Sequence, residues 1–123
     1  MELCYEPEKV SDAVMAELAS KCDTIYVSGG KPNFDLKAPF WDVVKDRVKK
    51  GELLYIGRSC GSIMAGNWQH AKADPECKEG RAGLALINAL VVPHAGDEGE
   101  NKNAPKDKGK HLRIKDGSVE YIP

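Results

Sequence analysis

The sequence predicts an α/β domain built on parallel strands, and three observations carry that prediction. Two short apolar runs, "DTIYVSGG" at 23–30 and "ELLYIG" at 52–57, each end in glycine. An amphipathic stretch separates them, and a small-residue turn opening a second helical pattern comes after the later run. Strand, helix, strand, helix is the order of a βαβ unit, in which the crossover makes the strands parallel. Both runs are apolar at successive positions, the pattern of strands covered by helices on both faces.

Each element has a local reason. At 7–21, Val10, Val14 and Leu18 recur every four residues between charges, which predicts an amphipathic helix. Pro7 suits its first turn, where a missing N–H costs nothing. The run at 23–30 is β-branched and aromatic and is stopped by Gly29 and Gly30, a strand and tight turn. At 36–50, Phe40, Val43, Val44 and Val48 mark a helix face, and Gly51 is its stop signal. The second strand at 52–57 leads into "SIMAGNW", the start of a short helix. "GLALINALVV" at 83–92 reads as a buried turn and strand ending at Pro93-His94. Residues 95–110 are polar and punctuated by Gly and Pro, the composition of a mobile loop. The tail "HLRIKDGSVEYI" alternates around Asp116-Gly117, which predicts a C-terminal β-hairpin.

The totals bound the function. With 123 residues the chain is expected to form a single domain over 1–123. Eighteen basic against nineteen acidic residues leave a net charge of −1, so no global field steers it to nucleic acid or an anionic membrane. The first ten residues carry no basic region followed by an apolar one, and no apolar run approaches a membrane span. Cys4, Cys22, Cys60 and Cys77 are widely spaced with no CxxC pair, which speaks against a zinc ribbon or a disulfide framework. The expectation is a reduced cytoplasmic protein with no metal, nucleotide or flavin cofactor and no nucleic-acid or membrane partner.

The chemistry concentrates in "LLYIGRSCGSIMAGN" at 53–67, where Ser59 and Cys60 share one turn. A nucleophile elbow reads G-x-Nuc-x-G, because small flanking residues let the chain turn sharply between strand and helix. Gly57-Arg58-Ser59-Cys60-Gly61 fits with Ser59 as nucleophile. Moving the frame to Cys60 would put Arg58 and Ser62 at the glycine positions. A helix N-terminus lowers a thiol pKa, which keeps a Cys60-based reaction in view, but the glycine frame selects Ser59. G-x-S-x-G occurs by chance in many Gly- and Ser-bearing loops, and its position after an apolar strand and before a helix is what gives it weight. If the two strands are adjacent and parallel, the Gly29-Gly30 turn lies beside this elbow at their carboxyl ends, where sites form in open α/β sheets.

A serine hydroxyl needs a base, and that base needs an orienting group. Of three histidines, His111 opens the terminal hairpin as a surface residue, and His70 is expected to face solvent or cap the short helix. His94 comes after an apolar run and a stiffening proline at a strand end, where a fixed base belongs. For the third member, Asp74, Glu76 and Glu79 precede the base, and Asp97 and Glu98 lie beyond it. Spacing does not choose among them.

Three ordered segments, "IYVSGGKPNF", "LLYIGRSCGSIMAG" and "GLALINALVVPH", together resemble peptidase family S51, the aspartyl dipeptidase (dipeptidase E) and cyanophycinase group of serine peptidases. The likeness spans residues 23–94. It implies a flavodoxin-like, class I glutamine amidotransferase-like parallel sheet flanked by helices, lacking the first βα units typical of the family. It implies a serine-type hydrolase of small peptides, dipeptidase-like and Asp-directed, with Ser59 as nucleophile and His94 as base. Asp74 matches the region of the family's acidic member and is preferred over Glu76. Gly30 and Cys60 would supply backbone N–H groups to the oxyanion, with Gly29 beside them in the substrate-binding loop. Lys31-Pro32 replaces the usual Asn-Thr of that loop, and Cys60 the usual alanine of the elbow. The arginine that reads an acidic substrate lies after the histidine in this family, and here the nearest is Arg113. The absent units imply a homodimer or a partner that supplies the missing half. The alternative is a catalytically inactive, truncated binding or assembly module.

Overall fold

The computed structural model describes residues 11–29, 36–70 and 80–123. Among these residues three helices and six short strands run in the order α1 (Asp12–Lys21), β1 (Thr24–Val27), α2 (Pro39–Lys49), β2 (Leu54–Gly57), α3 (Cys60–Ala65), β3 (Trp68–Gln69), β4 (Arg81–Ala82), β5 (Leu90–Val92) and β6 (His111–Arg113). The chain is thus mixed α/β with parallel pairing, as the sequence predicts.

The βαβ unit forms as read. β1 and β2 pair in parallel, with Thr24 opposite Leu54 and Val27 opposite Gly57, and α2 is their crossover. Ser11 caps α1 by accepting the Val14 N–H, and Pro39 opens α2, where its missing donor is harmless. Arg47 of α2 donates from Nη1 to the Ala19 carbonyl at 2.7 Å and also to that of Cys22. One guanidinium thereby satisfies the carboxyl end of α1 and fixes the two helices to each other.

The core is one-sided. Met15 and Ala19 of α1, Ile25 of β1, Phe40, Trp41 and Val44 of α2, Leu53, Met64 and Leu84 form one buried cluster. The α1 face differs from the expected one, since Val14 is exposed and Met15 and Ala19, also four apart, turn inward instead. Pro7 and Val10 lie outside the described residues. The β1–β2 pair departs from the expectation of two covered faces. Ile25 and Tyr55 face the cluster, whereas Tyr26, Leu54 and Ile56 are 52%, 47% and 42% exposed on the opposite face.

The second half wraps the carboxyl end of α3. Met64, Ala65 and Gly66 carbonyls accept the backbone N–H groups of Leu84, Leu86 and Ala85, and Asn67 donates to Ala89. β5 is fully buried and pairs in parallel with β6, Leu90 opposite His111 and Val92 opposite Arg113. The predicted C-terminal hairpin does not form. A turn closes at 115–118, where Gly117 has φ +80°, but no strand comes after it among the described residues. β6 spends its hydrogen bonds on β5 instead of on the tail, because β5 is a buried apolar strand that needs a partner.

Residues 95–110, expected as a mobile loop, are anchored at several points. Glu100 is buried and accepts both Nε and Nη2 of Arg113, and Ala104 joins Leu90 and Val92 in a small second cluster. His111 donates from Nε2 to the Pro105 carbonyl at 2.9 Å. His70, expected at the surface, is 3% exposed. Its Nε2 donates to the Val91 carbonyl at 2.7 Å, and the Asn101 amide stands 3.0 Å from Nδ1. That pairing suits the neutral ring, and burial lowers the pKa from the ordinary 6.5, with the nearby His111 adding to the shift.

This packing sets two expected outcomes. Phe40 is wholly buried, so Phe40→Ala should cost about 3–5 kcal/mol by urea denaturation. For His70, the unfolded chain takes up a proton near pH 6.5, whereas burial holds protonation of the folded chain to lower pH. Folding stability should therefore be full above that pH and fall as pH drops below it. Urea midpoints measured between about pH 7 and pH 5 should decline, and the decline should flatten in His70→Gln, since paired carboxylates titrate lower.

Candidate active site

The turn after β2 is tightly constrained backbone. Ser59 has φ 53° and ψ −117°, a left-handed conformation that side-chain-bearing residues rarely adopt. Such a residue costs on the order of 1–3 kcal/mol and persists only when its surroundings dictate it. The flanking glycines show why the chain accepts the strain. A Cβ on Gly57 would lie 2.6 Å from the Gly61 carbonyl oxygen, and a Cβ on Gly61 would lie 1.9 Å from that of Val27. Both closures require the absence of a side chain. The Arg58 N–H donates to the same Val27 oxygen at 2.9 Å, so the end of β1 holds the turn at two points.

The expected neighbourhood of the glycine pair is present for Gly29, where a Cβ would stand 3.7 Å from Ser59 Cβ and 3.9 Å from its Oγ. Gly30 lies outside the described residues. Cys60 is the first residue of α3 and half-buried, with its thiol outside any disulfide.

His94 stands at the end of β5 as the sequence predicts, with φ 59°. Its flanks are fixed by Ala95 N–H donating to Ile114 and Asp97 N–H donating to the His94 carbonyl, both at 3.0 Å. Gly99 lies against the imidazole, since a Cβ there would meet three His94 side-chain atoms at 3.2–3.4 Å. Ser59 Oγ and His94 Nε2 are 3.0 Å apart, although 35 residues separate them. On the other side of the ring, Nδ1 is 2.8 Å from Asp116 Oδ1. With Nδ1–H donating to the carboxylate, Nε2 is left as an acceptor for the serine hydroxyl, the tautomer a general base needs.

The acid at His94 is not one that spacing nominates. Asp74, Glu76 and Glu79 lie outside the described residues, and it is Asp116, not Asp97 or Glu98, that meets Nδ1 of the ring. The Asp-Gly pattern assigns Asp116 to a hairpin turn and so hides it. A usable signal exists all the same: if "HLRI" runs parallel to "LVVPH", the residues just past both strands meet at one sheet end. The hydrogen bond from His94 holds the Asp116 carboxyl below the usual carboxylate range, and the neighbouring Asp97 and the charge of Arg58 add to that effect. His94 and Asp116 side chains remain 34% and 57% exposed, so the pair opens to solvent.

Arg113, the arginine nearest after His94 in the sequence, is bound through Nε and Nη2 to the buried Glu100. Among the described residues no group of three or more His, Cys, Asp or Glu stands close enough to hold a metal ion, and no helix is long and apolar enough to cross a membrane.

The arrangement can therefore deprotonate a serine hydroxyl beside a glycine-lined opening. No curated protein matches the chain. The model of the family described as Peptidase family S51 matches residues 6–112, a span that holds the glycine turn, the elbow and His94 and stops short of Asp116. With nearly the whole sequence covered, the chain belongs to peptidase family S51.

Proposed function

We propose that the protein is a serine-type hydrolase of small peptides in which Ser59, His94 and Asp116 act together. The observation that carries this reading is the 3.0 Å approach of His94 Nε2 to the Oγ of a serine held at positive φ. Ser59 Oγ attacks the scissile carbonyl carbon while its proton passes to His94 Nε2, and Asp116 stabilises the imidazolium through Nδ1–H. Collapse of the tetrahedral adduct expels the amine, which takes the proton from His94. Water, deprotonated by the same ring, then attacks the acyl carbon; the acyl–Ser59 bond breaks, Ser59 Oγ takes the proton back from His94, and the acid departs. The Cys60 backbone N–H, next after the nucleophile, is the oxyanion donor that the elbow supplies, with Gly30 as its counterpart from the glycine turn. Dipeptides are the substrates that the family likeness favours. Preference for an acidic residue draws no support from Arg113, whose fork is occupied by Glu100.

A second reading, a non-catalytic binding or assembly module, has one observation on its side. Tyr26, Leu54 and Ile56 leave one sheet face apolar and exposed, a surface of the kind that another protein or another copy covers.

Fluorophosphonate labelling with mass-spectrometric mapping separates the two. The adduct should map to Ser59, vanish in Ser59→Ala and persist in Cys60→Ala. Asp116→Asn should slow labelling by about 10²–10⁴-fold, because it disturbs the tautomer and orientation of the base. Asp74→Asn, run beside it, should label at close to the wild-type rate. A folded protein that takes no label favours the module reading, and loss of rate in Asp74→Asn alone would return the acid's role to that residue.

A further inference from the structure

The nucleophile turn is held from the β1 side by the Val27 carbonyl, and a second hold comes from beneath it. Tyr55 sits on β2 four residues before Ser59, with its ring packed on the main core cluster. Its hydroxyl donates to the Gly61 carbonyl at 2.6 Å. Gly61 in turn donates its own N–H to the Arg58 carbonyl at 2.9 Å. The chain from 58 to 61 is thus closed on itself through one group of Gly61 and fastened to the core through the other. α3 has six residues, too few for a helix to hold its direction without tertiary ties. Val27 and Tyr55 are two such ties at its first turn, and of these only Tyr55 acts through a side chain.

We propose that Tyr55 is a positioning residue: by holding the Gly61 carbonyl it keeps Ser59 in its left-handed conformation and its Oγ within reach of His94. Its catalytic consequence rests on Ser59 being the nucleophile, whereas its effect on the turn does not. Burial raises the phenol pKa well above its ordinary value, so the donor keeps its proton throughout the neutral range. The hydroxyl touches no reacting atom. Its contribution is geometric, and geometric errors at a nucleophile are expressed in rate rather than in substrate binding.

Tyr55→Phe removes the one oxygen and keeps the ring in the core, so the fold is retained. Two measurements on the full chain test the proposal, with Val44→Ala as a comparison that loosens the core without touching the turn. In hydrogen exchange, the amides of Gly61, Ser62 and Ile63 should exchange about tenfold faster in Tyr55→Phe, with the β5–β6 amides unchanged. In fluorophosphonate labelling, the maximal rate should fall about tenfold at unchanged half-saturation, and Val44→Ala should show neither selective effect. Exchange at 61–63 that matches the wild type overturns the proposal, and so does a uniform rise that Val44→Ala reproduces. A wild type that takes no label, together with selectively faster exchange in Tyr55→Phe, ends the nucleophile reading while upholding the hold of Tyr55 on the turn.

Discussion

The close approach of Gly61 to the Val27 carbonyl decides where everything else can sit. A methyl group there would occupy a point 1.9 Å from that oxygen, so the first turn of α3 has no freedom to move away from the end of β1 without losing its seat. Because β1 and β2 are parallel and in register, the same contact sets the height at which Ser59 emerges above the sheet. The positive φ of Ser59 is the consequence: the chain must reverse from strand to helix within two residues, and only a strained residue accomplishes that.

His94 and Asp116 reach Ser59 by a different route, through strand pairing. Parallel strands end on the same side of a sheet, so the segments leaving β5 and β6 emerge together. β5 leads into His94, the segment beyond β6 carries Asp116, and three buried residues of β5 fix the register between them. The loop joining the two strands is polar enough to look unanchored, yet its Glu100 and Asn101 are tied to Arg113 and His70. Those ties hold β6 against β5. They also engage Nε and Nη2 of Arg113, so that guanidinium serves the structure of the loop.

This division explains how much is legible in the sequence. The elbow, the first two strands and His94 are legible because each is a local feature: glycine spacing, a β-branched run, a proline-stiffened strand end. Two kinds of feature are not. The α1 face is misplaced at Val14 and Trp41 escapes the α2 pattern, since several apolar spacings fit one short helix and only the neighbour it packs on chooses among them. Asp116 escapes because Asp-Gly is a strong hairpin signal, and the competing claim on β6 comes from a strand about twenty residues earlier in the chain. A local turn forms there as predicted, but the pairing is decided by burial. Asp74 and Gly30 fall outside the described residues.

The one-sided core couples stability to the site in a particular way. Phe40, Val44 and Met64 lie in the same cluster that receives the Tyr55 ring, and Met64 belongs to the helix that Ser59 opens. A loss of packing at Met64 itself loosens the seat of α3 directly, whereas a change on the Tyr26, Leu54 and Ile56 face touches residues that point away from it. Side chains alternate along β2, so Leu54 and Ile56 look outward while Tyr55 and Gly57 look toward the turn. The bare face can therefore vary, or be covered, without moving Ser59. The covered face cannot, because its residues either pack the core or carry the elbow.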